Sequence, residues 1–478
     1  MLTAIGSLFL LGCVSPVLRA QDPGTEGPPK PAGTAFPPVL DDNSQPTPDA
    51  YLPDSRPLTG VQNLTLGRIE STHSYWQPGI QYSNTIQSVL PGSVNNGWTI
   101  TNYIAANVNL VQSWRSSELA INYSGGGDFS TDKTIGNGYF QQFGFSQTFN
   151  WQRWQLVFLD QLAYLPQSNF GFGSGTGLGL PGGGITTGVP QTGIGSNGQS
   201  LFNAVGPRVS NNLTSQALYQ LTARASVNVS GTYGIQRFVD AGNIDSNNYG
   251  ASIGYNYQIN KTDTIGVVYR YNRYSYTGEG ETIDDNVINL AYGKKITGRL
   301  ALQLFGGPDI STFNITGSVP GAPVGTPTGT TRNVTASGGG NLSYGFNRGT
   351  FGVSYNRGVT AGSGVFAGSE TDQFSGNVSH LLGRVWHAQA NVGYARNKAL
   401  NSSSIVIPGS QSSYNSVYFG LGAGRSFGPS ANFSIAYSAN LQTQGVATGC
   451  VGSFCNGEYT QHQITMNFQW KTRPLVLH

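Results

Sequence analysis

Few residues of this chain have types and spacings that could do covalent chemistry. The five histidines include no HExxH pair, and His380 and His387 flank a short turn, where interfacial or solvated rings are expected. "GLGLPG" at 177–182 fits the GxGxxG pattern. Neither a buried strand before it nor a helix after it is readable, so loop glycine is the reading. Glu281, Asp284 and Asp285 could serve a hydrolase only beside a nucleophile and a base, and a solvated rim is the simpler expectation. Cys450 and Cys455, in "GCVGSFCNGEY", are too few for a metal centre and suit a small disulfide across a loop tip. No enzyme, cofactor or metal site is expected.

Neutral hydrogen-bonding side chains are what the sequence supplies in quantity. Asn107, Asn109, Gln142, Gln216, Gln220, Asn228, Asn256, Asn272, Asn289, Gln303, Asn377, Gln389, Asn391 and Gln463, with Arg270, all fall on one parity of segments whose other parity is apolar. Amides exchange hydrogen bonds with a passing sugar or peptide much as water does, without a deep binding well. Gly254, Gly266, Gly352, Gly393, Gly420, Gly422 and Gly424 share that parity, where missing side chains would widen an enclosed space.

The elements that carry these residues follow from period two. In "TNYIAANVNLVQSW" the apolar positions are Ile104, Ala106, Val108, Leu110 and Trp114; in "NYGASIGYNYQI" they are Tyr249, Ala251, Ile253, Tyr255, Tyr257 and Ile259. Such alternation makes strands with one apolar face. Short connections such as "NWQR" (150–153), "NKTD" (260–263) and "GPSA" (428–431) alternate with long Gly/Ser/Thr/Asn-rich stretches at 166–210, 308–333, 397–413 and 443–457. Roughly ten-residue strands with one trimmed and one elaborated end are what a transmembrane β-barrel requires.

Composition agrees. Only 10% of the 478 residues are charged, against about 25% in ordinary globular chains. There are 67 glycines, and the net charge of +3 is spread without a basic patch, so nucleic acid is not an expected partner. Past the N-terminus no apolar run reaches the length of about 18 residues that a spanning helix needs.

Residues 73–470 are expected to form an antiparallel transmembrane β-barrel of 18 strands, with 16 as the alternative, the first strand being 74–89 despite Pro78. Trp114, Trp151, Trp154, Trp386 and Trp470 sit beside short turns or near the C-terminal end, where an interfacial girdle belongs. Ahead of the barrel, 1–20 reads as an export signal cleaved after Ala20, with a lipoprotein box ending at Cys13 as a second reading. Residues 21–72 read as a Pro-rich periplasmic linker, 21–58 holding 10 of the 24 prolines, and 471–478 as a tail. The two loop cysteines suit an exported chain.

The segment "YTQHQITMNFQW" resembles the C-terminal signature of Gram-negative outer-membrane barrels, carried here by Tyr459, Ile464, Met466, Phe468 and Trp470. It departs from that pattern in the eight residues after the aromatic. The resemblance implies the cell outer membrane, lipid around the barrel and an assembly machinery that reads this strand. Similarity to general porins implies that the third outer loop folds into the bore, with Phe170, Phe172 and Leu178 packed on the wall as a constriction; a surface loop is the alternative. The function expected is a porin-like channel for passive diffusion of small hydrophilic solutes. The competing expectation is a non-conducting barrel for polymer export or adhesion. A homo-oligomer would need one lipid-facing side flatter than the rest.

Overall fold

In the computed structural model the described residues are 74–88, 97–131, 137–165, 207–239, 244–277, 281–315, 329–361, 368–383, 385–400, 413–428, 430–444 and 458–476. Eighteen antiparallel strands form one closed sheet. In chain order they are β1 Tyr75–Ser88, β2 Trp98–Ser113, β3 Ser117–Ser130, β4 Asn137–Asn150, β5 Trp154–Leu165, β6 Arg208–Gln220, β7 Ala225–Phe238, β8 Asp245–Gln258, β9 Asp263–Thr277, β10 Glu281–Lys295, β11 Leu300–Ile315, β12 Gly329–Phe346, β13 Gly349–Thr360, β14 Ser369–Leu382, β15 Trp386–Ala399, β16 Ser413–Phe427, β17 Ala431–Gln444 and β18 Glu458–Lys471. Every strand pairs with its neighbours in sequence, and β1 pairs with β18 from Gly79↔Lys471 to Gln87↔Gln463. Closure leaves no free edge around most of the wall, the condition for placing backbone in lipid.

Alternation explains the two faces. Ile104 is 57% exposed and Asn107 5%, three residues apart on opposite sides of β2. Ile253, Tyr255, Ile265, Val267, Leu290, Leu304, Val392, Phe419 and Met466 continue the outward apolar surface, a belt suited to hydrocarbon rather than water. Short turns close one end; in two of them the chain returns through Trp114 N–H to Ser117 O (2.8 Å) and Ile259 N–H to Asp263 O (3.0 Å). Trp114, Trp151, Trp154, Trp386 and Trp470 are all exposed, and Arg425 lies over the rings of Trp386 and Phe427 at this end.

The tail differs from expectation. Leu475–Val476 forms a two-residue strand, β19, paired with Trp76 and Tyr75 of β1. Thr472 N–H donates to Pro78 O (2.9 Å), and Gln77 Nε2 donates to Thr472 O (2.8 Å). Pro78 therefore sits inside β1, and the chain past the terminal aromatic extends the closing seam. The local sequence "KTRPLVLH" has no strand alternation long enough to announce this.

Candidate functional site: the inner wall and its constriction

The amide-bearing residues are distributed over β2 (Asn107, Asn109), β4 (Gln142), β6 (Gln216, Gln220), β8 (Asn256), β9 (Arg270, Asn272), β11 (Gln303) and β15 (Gln389, Asn391). The register puts all of them on the face opposite the exposed apolar side chains. They are brought together as a lattice rather than as a pocket. Asn122 Nδ2 donates to Asn109 Oδ1 (2.9 Å), Gln81 Nε2 to Asn467 Oδ1 (2.8 Å), Ser337 Oγ to Asn289 Oδ1 (2.8 Å) and Ser416 Oγ to Asn440 Oδ1 (3.0 Å).

Several of the inward amides stand opposite glycines. Asn228 stands directly opposite Gly254, Asn256 opposite Gly266, and Asn377 opposite Gly352. In each pair a Cβ on the glycine would overlap the amide oxygen or press on it. The side chain lies flat along the wall over its neighbour's missing side chain instead of projecting inward. Asn228 and Asn256 are fully buried, whereas Asn377 in the same arrangement is exposed. Tyr418 covers Gly393 and His387 covers Gly424 in the same way. The glycines widen the bore indirectly, by giving their partners somewhere to lie down.

One sector breaks the cylinder. For 18 strands about 4.8 Å apart and tilted by about 40°, a round barrel has a backbone radius of about 18 Å, and strands four apart stand about 23 Å from each other. β9 and β13 are four apart, yet Tyr274 Oη donates to Val359 O across 3.2 Å. β12 and β13 pair only from Phe346↔Gly349 to Gly338↔Arg357. Beyond Arg357, β13 parts from β12 while staying paired with β14 as far as Thr360↔Ser369, and its end turns into the bore. Val359 and Ala361 pack there on Tyr274, Tyr276, Ile283 and Phe313, with Ile244 and Leu400 at the margin.

The inserted end is held from its own side too. Thr360 Oγ1 lies 2.8 Å from Ser369 Oγ and 3.0 Å from Thr371 Oγ1, and Thr371 Oγ1 donates to Asn397 Oδ1 (2.8 Å). Gly368 begins the return with φ of 83°, and a Cβ there would strike Ile283; both requirements select glycine.

Below this apolar seat the inner face turns charged. Cross-strand rows run Arg270–Val287–Asp309 and Asn272–Asp285–Ser311. Asp285 and Asp309 are fully buried, Asn272 Nδ2 donates to Asp285 Oδ2 (3.3 Å), and Ser311 Oγ donates to Asp309 Oδ1 (3.3 Å). This corrects the solvated-rim expectation for Asp285. β10 already begins at Glu281, so parity turns Asp285 inward and Asp284 outward, where Asp284 accepts from Tyr271 Oη (2.6 Å) and faces Arg273 (3.8 Å). Asp309 was missed because Gly306, Gly307 and Pro308 break the alternation just before it.

Phe170, Phe172 and Leu178 of the expected constriction loop, Cys450 and Cys455, the export signal and the Pro-rich linker lie outside the described residues. Ile464, Met466, Phe468 and Trp470 are in β18, the last three exposed on the outward face. Among the described residues no group of three or more His, Cys, Asp or Glu could hold a metal.

No family model matches this sequence, and no curated protein does. Solved structures similar to it include Pseudomonas aeruginosa OpdK with vanillate (TM-score 0.40, 8% identity, 83% of this chain and 99% of that one). OccK2 (OpdF) of the same organism in complex with glucuronate is similar at TM-score 0.40 and 9% identity over 83% and 98%, and OccAB4 of Acinetobacter baumannii at 0.39 and 9% over 84% and 99%. At such scores the likeness adds nothing to the site; the closed wall, the apolar belt and the interfacial aromatics speak for themselves. The chain is a closed 18-stranded antiparallel β-barrel with an apolar outward belt suited to a membrane.

Proposed function

We propose that this barrel is a porin-like channel through which small hydrophilic solutes diffuse passively, lined by Asn107, Asn109, Gln142, Gln216, Gln220, Asn256, Arg270, Asn272, Gln303, Gln389 and Asn391. The observation that carries the reading is the inner face itself: amides, hydroxyls and glycines around a closed wall too wide for its own side chains to fill. A wall of this kind fits water. OpdK and OccK2 themselves are solved with vanillate and glucuronate.

The inserted end of β13 narrows the passage in this reading, and any contribution of Phe170, Phe172 and Leu178 adds to it. Single-channel recording of the refolded protein in a planar bilayer tests the proposal. Stable open steps, and swelling of protein-loaded liposomes in small sugars, are the expected result. A folded, heat-modifiable barrel that passes neither ions nor sugars would refute it and leave the non-conducting barrel, for polymer export or adhesion, in its place.

A further inference from the structure

The outward face of β13–β15 carries charge at one level only. The register stacks three rows there: Tyr355–Phe374–Tyr394, then Arg357–Asp372–Arg396, then Glu370–Lys398, the β13 member of this last row, Val359, having turned into the bore. The first is an aromatic row. Tyr355 Oη reaches up to Asp372 Oδ1 (2.8 Å), and Tyr394 Oη to Asn415 Oδ1 (3.2 Å), as interfacial tyrosines do with one end apolar and the other wet.

The height of the charged rows follows from the strand. From the outward Trp386 at the short-turn end to Arg396 is 10 residues of β15, which at about 3.4 Å per residue and a tilt of about 40° is about 26 Å. That matches the apolar band of such barrels, about 25 Å. Arg396 therefore stands at the outer boundary of the hydrocarbon, and Lys398 a little beyond.

Both acids between them are already engaged. Arg357 bonds Glu370 and lies 3.2 Å from Asp372. Arg396 and Lys398 are exposed, and no ion pair is formed by either among the described residues. Their other neighbours in register are Asn415 and Ser413, neutral and able to hydrogen-bond. Elsewhere at this level the outward Arg237 and Arg273 face acids of their own, Asp245 and Asp284, and the exposed Arg332, in the row of Asp284 and Thr312, is a single cation with no second one beside it in register.

We infer that Arg396 and Lys398 bind the phosphate of a lipid headgroup in the outer leaflet, with Asn415 and Ser413 beside it and Tyr394 under it against the acyl chains. The chemistry fits. A guanidinium and an ammonium two residues apart on one face complement a phosphomonoester, and a desolvating, half-lipid setting strengthens the attraction. This inference stands whether or not the bore conducts.

The test uses the full chain in detergent, titrated with bis-phosphorylated lipid A and with the same lipid after removal of both phosphates. The native protein is expected to prefer the phosphorylated form, and R396Q/K398Q to lose about 30-fold in affinity, about fivefold for each cation removed near a membrane surface. Lys261→Gln, in a short turn, is expected to bind as native. Equal affinity of the native protein for both lipids overturns the inference, whatever the variant does. So does retention of native affinity by the folded double variant. Competition by inorganic phosphate at the same concentration as the lipid would show a phosphate site without a lipid preference and reject the lipid assignment. Cross-linked oligomers in lipid-free detergent that the double variant abolishes would make this face a subunit contact instead.

Discussion

Replacing Tyr274 probes the constriction directly. Its ring is almost fully buried against Val359, Ala361, Ile283 and Phe313, and its hydroxyl holds Val359 O at 3.2 Å. A tyrosine Cα-to-Oη reach of about 6.5 Å, that hydrogen bond and the carbonyl's own offset together bring the two Cα atoms to within about 12 Å. A round wall would hold them about 23 Å apart, so the end of β13 stands about 11 Å inside its place in the cylinder. Tyr274→Phe removes one buried hydrogen bond, a loss of about 1 kcal/mol, enough to raise the undocked population about fivefold. Tyr274→Ala also removes the ring from its seat, about 3–5 kcal/mol, or a factor of several hundred or more. In planar bilayers the phenylalanine variant is expected to show more frequent excursions to a larger conductance, and the alanine variant a larger conductance throughout. An alanine variant that is folded and heat-modifiable, with step size and noise equal to native, would refute the claim that this segment narrows the bore.

Three further outcomes follow from the wall. Gly266→Leu puts a side chain where Asn256 lies, forcing the amide or the leucine into the bore; reduced single-channel conductance with native folding yield is expected. Leu290→Lys sets a charge near the middle of β10 on the lipid face, at a position 67% exposed. It should cost about 2–4 kcal/mol in urea-driven refolding into bilayers. Truncation before Thr472 removes β19 and the two hydrogen bonds that join Thr472 to Gln77 and Pro78, about 2 kcal/mol, and should lower the temperature at which the barrel loses its folded mobility in gel electrophoresis.

The sequence by itself determined what depends on near neighbours. Period-two alternation, as in Ile104 to Leu110 or Tyr249 to Tyr257, sets both the existence of a strand and the face each side chain takes, because successive residues point to opposite sides. Turn lengths and tryptophan positions then oriented the strands and implied closure. Asp285 precedes the clear apolar run of β10, and the parity of Val287 and Ala291 carried back to Glu281 turns it inward. What the tertiary structure decided depends on residues far apart in the chain. The pairing of β19 with β1 joins residues some 400 positions apart. The departure of β13 from β12 shows only against β9, four strands away. The lying-down of Asn228 and Asn256 requires knowing that Gly254 and Gly266 stand opposite. Register is a cross-strand property, and no local pattern of amides and glycines states which of them will meet.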